Sequence, residues 1–269
     1  MDIQTSLTLP KEIESYLRVA LKNNNAFLLE GEPGTGKTTL GLELGRAAQE
    51  QGGGFLFAQA NAWASHEDLI QGVNLAGFVT RDPSQVWEAG LLLRAARQAS
   101  DVLPHPFVTI VDEWDKTRPT ADGLLLAALQ ERVVVDAAGH LHARIPDNLI
   151  FWITSNASRE LHDALLRRVV RITLPPLTGE MLKKNLQRSG AGPHLAALLT
   201  TIAAEARRDS NVRRPTLPEL RRTAEMILNA DDAATCRAIV TGLLGKPGTA
   251  TRKRAGDDLW AAKVRDERA

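Results

Sequence analysis

The chain has 269 residues, of which 43% are hydrophobic, and its 33 Lys and Arg residues nearly balance its 32 Asp and Glu residues. This composition predicts a globular protein of one large or two modest domains and excludes a chain too polar to form a core. The balanced charge argues against nucleic acid as the main partner, although a local basic patch stays open. Since no apolar run approaches the ~20 residues that span a bilayer and the N-terminus lacks a signal-peptide pattern, we expect a cytoplasmic protein without membrane contact.

The first part of the chain alternates between strand and helix patterns. A helix after Pro10 leads to a series of apolar strands, which we predict at 26–30, 54–59, 107–111, 149–154 and 169–174. A long helix is predicted over 86–99. Continuous apolar strands separated by helices favour an α/β fold in which a parallel five-stranded sheet is flanked by helices.

Two insertions interrupt this alternation. The first, 61–80, begins with a short helix capped by Ser65 and continues into a predicted hairpin over 73–78. The second, 133–145, is a predicted hairpin that turns at 137–139. Both could be decoration or could contact a partner.

The character of the chain changes after Pro175 and Pro176, which end the last strand. Helical patterns follow over 181–188, 195–207, 217–228 and 233–244, with no strand between them. We therefore predict a nucleotide-binding domain over 1–176, a small all-helical lid over 177–245 and a basic tail over 246–269. We expect the tail to be loosely tethered and solvated.

A phosphate-binding loop lies between the first strand and the next helix. It matches G-x-x-x-x-G-K-[ST], and its glycines let backbone N–H groups point at phosphate oxygens. We assign nucleotide binding to Gly31, Glu32, Pro33, Gly34, Thr35, Gly36, Lys37, Thr38 and Thr39. Lys37 would reach the β- and γ-phosphates, and Thr38 would bind Mg²⁺. The cofactors predicted are ATP and Mg²⁺.

Polar side chains end two later strands. Asp112 and Glu113 follow the strand at 107–111, where Asp112 would hold Mg²⁺ through its water shell and Glu113 would orient and deprotonate the attacking water. Asn156 follows the strand at 149–154 and would hold the same water. Taken alone, such residues are often solvent-facing or turn residues.

Two adjacent arginines follow these motifs. Arg167 and Arg168 could form a solvated helix end or an arginine finger for the nucleotide of a neighbouring subunit. We favour Arg168 as the finger, with Arg167 as the alternative.

Together these motifs resemble those of AAA+ ATPases, and in particular the MoxR and McrB-type branch. The phosphate loop, the strand ending in Asp112-Glu113, Thr154-Ser155-Asn156 as sensor 1 and Ala164-Leu165-Leu166-Arg167-Arg168 as the finger segment match in order. So does Leu129-Gln130-Glu131-Arg132, which is similar to a Met-Gln-Glu-Arg stretch of that branch. The resemblance implies an ATP-driven homo-oligomeric ring, commonly hexameric, with a helical lid and with both insertions facing the ring pore.

The sequence departs from the branch pattern at three points. Trp114-Asp115-Lys116 replaces the usual Ile-Asn-Arg after the acidic pair, and Val169 replaces the Phe that usually follows the finger arginine. Sensor 2, an arginine expected at the start of a lid helix, aligns best at Pro218. We assign it to Arg214, while Arg213 and Arg221 stay open as alternatives, as does the absence of a sensor 2 arginine. Surface-charge roles stay open for all three.

The leading hypothesis is an ATPase that remodels or activates a protein partner, which is a client or a von Willebrand A-type protein supplied separately. The alternative is a nucleotide-gated, DNA-associated motor subunit of the McrB type, which could prefer GTP. Its hints are Leu91-Leu92-Leu93 and the basic run Arg252-Lys253-Arg254. A small-molecule kinase is a third, weaker possibility, since such an enzyme needs neither Asn156 nor a helical lid.

Overall fold

The computed structural model describes residues 5–23, 25–62, 64–74, 79, 86–136, 138–208, 215–243 and 250–268. These residues fall into two compact units. The first contains Lys11–Glu32 and Lys37–Leu174, and the second contains Ser6–Pro10, Pro33–Gly36 and the chain from Pro175 onward.

The first unit is built on a five-stranded parallel sheet. Its strands are β1 (Ala26–Glu30), β2 (Gly54–Gln59), β5 (Phe107–Asp112), β8 (Leu149–Ser155) and β9 (Val170–Thr173). Their order across the sheet is β2-β5-β8-β1-β9, and every adjacent pair is parallel. β5 and β8 are buried at every residue, as expected for strands covered on both faces. The α/β fold and the five parallel strands predicted from the sequence are thereby confirmed.

Helices connect and cover these strands. They are α1 (Lys11–Asn23), α2 (Lys37–Glu50), α3 (His66–Leu69), α4 (Leu91–Asp101), α5 (Asp122–Gln130) and α6 (Asp163–Leu166), with two 3₁₀ turns at Trp114–Lys116 and Pro119–Ala121. The core between sheet and helices includes the fully buried Trp152, whose ring lies 5.8 Å from that of Phe27. The Trp152 indole N–H also donates to the carbonyl of Lys37 at 3.3 Å, which ties β8 to the start of α2.

The first insertion differs from its prediction. Ser65 and Asp68 form the expected capping box of α3, but the strand that follows is β3 (Gln71–Val73), and its antiparallel partner is β4 (Trp87–Ala89). The long helix predicted over 86–99 is therefore wrong at its start, because pairing with β3 draws Trp87–Ala89 into a strand and α4 begins only after Gly90. Most of the hairpin predicted over 73–78 lies outside the described residues.

The second insertion has the predicted form. β6 (Val133–Val135) and β7 (Leu141–Arg144) pair as an antiparallel hairpin. The carboxylate of Asp136 accepts the backbone N–H groups of Ala138 and His140 at 2.9 and 2.8 Å and so shapes the turn.

The second unit is helical over its described residues from Pro175 onward. It contains α7 (Gly179–Arg188), α8 (Pro193–Arg208), α9 (Leu217–Leu228), α10 (Ala233–Leu243) and α11 (Ala250–Glu267). The capping box of Thr216 and Glu219 fixes the start of α9. None of the helices in the described part of the chain is both long enough and apolar enough to cross a membrane.

The expectation of a loosely tethered tail is wrong over 250–267. α11 packs against α8 and α10, and it buries Ala255, Leu259 and Ala262, which share one helical face. The carboxylate of Asp266 also accepts the N–H groups of His194 and Leu195 at the start of α8. Charge dominates the composition of this segment, but the apolar stripe within it decides its packing.

Candidate functional site

The phosphate loop connects β1 to the N-terminus of α2. Gly34 and Gly36 have φ values of +81° and +97°, which L side chains rarely adopt. Space is also lacking, because a Cβ on Gly34 would lie 2.6 Å from the Cβ of Thr216 and one on Gly36 would overlap Leu7. The loop thus requires its glycines, and the N–H groups opening α2 add the positive end of a helix dipole.

Lys37 occupies the first position of α2 and is almost fully buried. Its ammonium donates to the carbonyls of Gly31 and Glu32 at 2.8 and 2.9 Å, so the first two residues of the loop hold the side chain in place. Burial lowers the pKa of Lys37, while the nearby carboxylates, chiefly that of Asp112, oppose this change. A phosphate group placed in the loop would meet a preoriented cation.

Asp112 ends β5 beside the loop. Its Oδ1 accepts the hydroxyls of Thr38 at 2.6 Å and of Thr154 at 2.7 Å. The Thr38 hydroxyl and the Asp112 carboxylate are hard oxygen ligands held side by side, a donor set that fits Mg²⁺ bound with nucleotide. Thr38 and Asp112 would hold the ion, which would neutralise charge on the phosphate oxygens.

Glu113 follows Asp112 in the left-handed conformation, at φ 57°, and ends the extended backbone of β5 before the 3₁₀ turn at Trp114–Lys116. Its carboxylate accepts hydrogen bonds from the amide of Gln59 at 2.8 Å, the amide of Asn156 at 3.1 Å and the ammonium of Lys116 at 2.5 Å. The Lys116 bond is the main reason that the pKa of Glu113 lies below its ordinary value. The carboxylate is therefore ionised at neutral pH, as a base must be.

The structure thus brings Lys37, Thr38, Asp112, Glu113 and Asn156 to one edge of the sheet, as the sequence motifs predict for parallel strands. Of the other loop residues assigned to nucleotide, Gly31, Glu32 and Thr39 lie in the same unit as this group, and Pro33–Gly36 lie in the second unit.

Three contacts of this site were missed by sequence reasoning. Gln59 ends β2 and pairs with Asp112 in register, so its position at a strand end was an available signal. Thr154 links the two acidic residues, since its hydroxyl donates to Asp112 and accepts the N–H of Glu113 at 2.9 Å. The contact of Lys116 depends on the turn after Glu113, for which the sequence offered no signal.

The two candidate finger arginines differ in their surroundings. Arg168 donates to Gln130 Oε1, with its Nε at 2.7 Å, and also to the carbonyl of Ala164. Arg167 is exposed, and its guanidinium forms no hydrogen bond or ion pair with the described residues. The preferred candidate is therefore held within its own chain, while the alternative faces solvent.

The sensor 2 candidates are only partly placed. Arg213 and Arg214 lie outside the described residues. Arg221 lies half-buried in α9 of the second unit.

Comparison with protein families agrees with this geometry. The model of the AAA domain (dynein-related subfamily) matches residues 26–188, which is about three fifths of the chain. No match was found among curated proteins. The matched segment runs from β1 to α7 and includes the phosphate loop, Asp112, Glu113 and Asn156. AAA domains bind nucleotide, typically with Mg²⁺, and their proteins commonly assemble into rings and use ATP. With its parallel sheet, phosphate loop and C-terminal helices, this chain belongs to the dynein-related subfamily of AAA domains.

Proposed function

We propose that this protein hydrolyses ATP at the interfaces of a homo-oligomeric ring, which we expect to be a hexamer, and uses the cycle to remodel or activate a protein partner, as MoxR-like proteins do. The observation that carries the proposal is the bond of 3.1 Å between Asn156 and Glu113 at the edge that also holds Lys37 and Asp112. A site built only to bind nucleotide would not need a base held by an amide.

Each residue then has a distinct role. Lys37 and the loop N–H groups bind the β- and γ-phosphates, and Thr38 with Asp112 holds the Mg²⁺ that accompanies ATP. Glu113 accepts a proton from the attacking water, and Asn156 orients that water toward the γ-phosphorus. Gln59 and Lys116 hold Glu113 before nucleotide arrives, so Glu113 must exchange these partners for water during the cycle.

The arginine that completes such a site would come from a neighbouring subunit. A cation that stabilises charge on the γ-phosphate contributes strongly to phosphoryl transfer. Arg167 is exposed and has no hydrogen-bond or ion-pair partner among the described residues, so it can take this role without breaking a contact within its own chain. Arg168, which the resemblance favours, would first have to leave Gln130.

A steady-state assay of phosphate release with Mg²⁺ and ATP tests the proposal. Glu113→Gln should lower kcat by about 100-fold or more and leave ATP affinity nearly intact, because it removes the base and keeps the shape. Glu50→Gln is the matched control, since Glu50 is an exposed glutamate at the opposite end of α2. Equal turnover in all three proteins, or none in the unmodified protein, would refute ATP hydrolysis at this site.

The McrB-type alternative predicts a different outcome from the same assay. It expects a preference for GTP over ATP and a DNA affinity that falls steeply with salt. The side chains of Arg252, Lys253 and Arg254, which motivated it, lie outside the described residues. Turnover of ATP in preference to GTP, together with no DNA binding at low salt, would remove this alternative.

A further inference from the structure

Two irregular segments run side by side behind the candidate site. The first, 114–121, follows Glu113 after β5, and the second, 156–162, begins at Asn156 after β8. The first contains only the two short 3₁₀ turns, and the second contains no helix or strand, so side-chain contacts between the segments supply much of their support. Two carboxylates of the first segment and its junction with α5, those of Asp115 and Asp122, bind them together.

Asp115 organises the turn that carries Asn156. Its Oδ1 accepts the backbone N–H of Asn156 at 3.1 Å, and its Oδ2 accepts the N–H and the hydroxyl of Ser158 at 2.9 and 2.5 Å. Between them, Ala157 has a φ of +56°, a conformation that costs of order 1 kcal/mol for a residue with a Cβ. The Asp115 carboxylate therefore holds the strained turn of residues 156–158 in its conformation.

Asp115 is an unusual residue in this place because only 3% of it is exposed. Burial alone would raise the pKa of its carboxyl, but the hydrogen bonds from Ser158 and Asn156 outweigh burial and keep the pKa below its ordinary value. The ionised carboxylate is thus stabilised by the turn that it holds.

Asp122 forms a second tie between the two segments. Its carboxylate pairs with Arg159 at 2.6 and 2.9 Å and also accepts the indole N–H of Trp114 at 2.8 Å. Arg159 donates in turn to the carbonyl and hydroxyl of Thr117 at 2.9 and 2.8 Å. This tie holds both segments without contacting Asn156, whereas the Asp115 carboxylate binds the main chain of Asn156 itself.

We propose that Asp115 is a positioning residue for ATP hydrolysis, which fixes the main chain of Asn156 so that its amide and the Glu113 carboxylate address the same water. Asp115 touches neither nucleotide nor water in this account and acts only through Asn156. The inference rests on the proposed ATPase function. It gives a role to the Asp of Trp114-Asp115-Lys116, one of the points where the sequence departs from the branch pattern.

Asp115→Asn tests the proposal because it keeps the size of the side chain and replaces one acceptor oxygen with a donor. We expect kcat to fall about 10- to 100-fold, because the reacting water is no longer held in the correct position. The KM for ATP and the Kd of a fluorescent ATP analogue should stay within twofold of the values for the unmodified protein, because the residues that bind nucleotide are unchanged. Asp266→Asn is the matched control, because Asp266 also accepts two backbone N–H groups, those of His194 and Leu195, but in the second unit. Its kcat should stay unchanged.

A double-mutant cycle with Asn156→Ala separates positioning from general support. If Asp115 acts through Asn156, Asp115→Asn lowers kcat in the original background but has almost no further effect when Asn156 is already alanine. Multiplicative losses would overturn the proposal, as would an Asp115→Asn protein with full kcat or one whose main change is in KM.

Ser158→Ala keeps the proposal testable if Asp115→Asn fails to fold. It removes the two hydroxyl contacts to Asp115, at 2.5 Å to Oδ2 and at 3.4 Å to the backbone carbonyl, and keeps the backbone N–H contact. We expect kcat to fall about 2- to 5-fold, again with no further loss in the Asn156→Ala background. Unchanged kcat in Ser158→Ala, with a strong loss in Asn156→Ala, overturns the role of Asp115 and leaves the proposed ATPase function standing. No turnover in the unmodified protein overturns both.

Discussion

Two buried threonines on neighbouring strands offer a matched pair of substitutions of which only one is expected to destabilise the fold. Thr154 on β8 and Thr109 on β5 are both 0% exposed. The hydroxyl of Thr154 donates to Asp112 at 2.7 Å and accepts the N–H of Glu113 at 2.9 Å. The hydroxyl of Thr109 forms no hydrogen bond with the described residues.

Replacing each threonine with valine changes the hydroxyl and little else. Thr154→Val removes a hydrogen bond to a carboxylate, worth about 1.5–3 kcal/mol, and leaves the N–H of Glu113 without its partner, which costs about 1–3 kcal/mol. Since the added methyl group recovers part of this loss, we expect the free energy of unfolding to fall by about 2–4 kcal/mol. Thr109→Val removes a buried hydroxyl without a partner, and we expect stability to stay level or rise by about 1 kcal/mol.

Equilibrium unfolding in urea measures both variants. Tryptophan fluorescence follows unfolding, since the buried Trp114 and Trp152 of the first unit contribute to it together with Trp260 of the second. The shift in transition midpoint gives the change in stability if the slope is unchanged. Thr154→Val should move the midpoint down and Thr109→Val should not. Equal shifts of the same sign would show that the Thr154 bridge does not stabilise the acidic pair, and would refute the reasoning.

Three further predictions concern the network behind the site, the finger and the C-terminal helix. Burial alone would raise the pKa of the Asp122 carboxyl, but hydrogen bonds from Arg159 and its other donors hold that pKa below its ordinary value. The Asp122–Arg159 pair therefore stabilises the fold fully when the pH is above the pKa of an aspartate in the unfolded chain, about 4, and progressively less as the pH falls below it. Arg159→Met should therefore lower the free energy of unfolding by about 3–5 kcal/mol at pH 7. Unfolding measured across a pH series should show that this difference between the variant and the unmodified protein becomes smaller below about pH 4, and a difference that stays constant would contradict the prediction. Arg167→Ala should lower kcat by about 10³-fold while Arg168→Ala has the smaller effect, and the reverse order in phosphate-release assays would return the finger to Arg168. Leu259→Ala, at a fully buried position of α11, should cost about 2–5 kcal/mol in thermal or urea unfolding, whereas no loss would mean that α11 is not part of the packed unit.

The parts of the fold that follow from local pattern were predictable from the sequence. The apolar run Leu149–Thr154 and the capping signal of Ser65 specify β8 and the start of α3 within a short window. The site residues at strand ends were predictable for a related reason, because parallel strands bring their carboxyl ends to one edge.

The rest depends on contacts between residues far apart in the chain. Trp87–Ala89 has a pattern that suits a helix, and only its pairing with Gln71–Val73 makes it a strand. Asp115 and Ser158 are separated by 43 positions and Gln59 and Glu113 by 54, so neither contact has a local signature. The packing of the tail was predicted wrongly because its composition is dominated by charged residues. The helical spacing of Leu259 and its buried apolar neighbours, which decides the packing, is a weak signal among them.

Mixing two inactive variants tests the central claim, a site shared between subunits, most directly. Glu113→Gln lacks the base, and the Arg167→Ala/Arg168→Ala double variant lacks both finger candidates, so each should be inactive alone. In a ring assembled from equal amounts of both, about a quarter of the interfaces join an intact Glu113 to an intact arginine pair. We predict that ATP turnover in the mixture returns toward a quarter of the unmodified level. Native mass spectrometry shows whether both variants are present in one ring. If they are, and turnover is still no higher than the sum of the two variants measured separately, the shared site is contradicted.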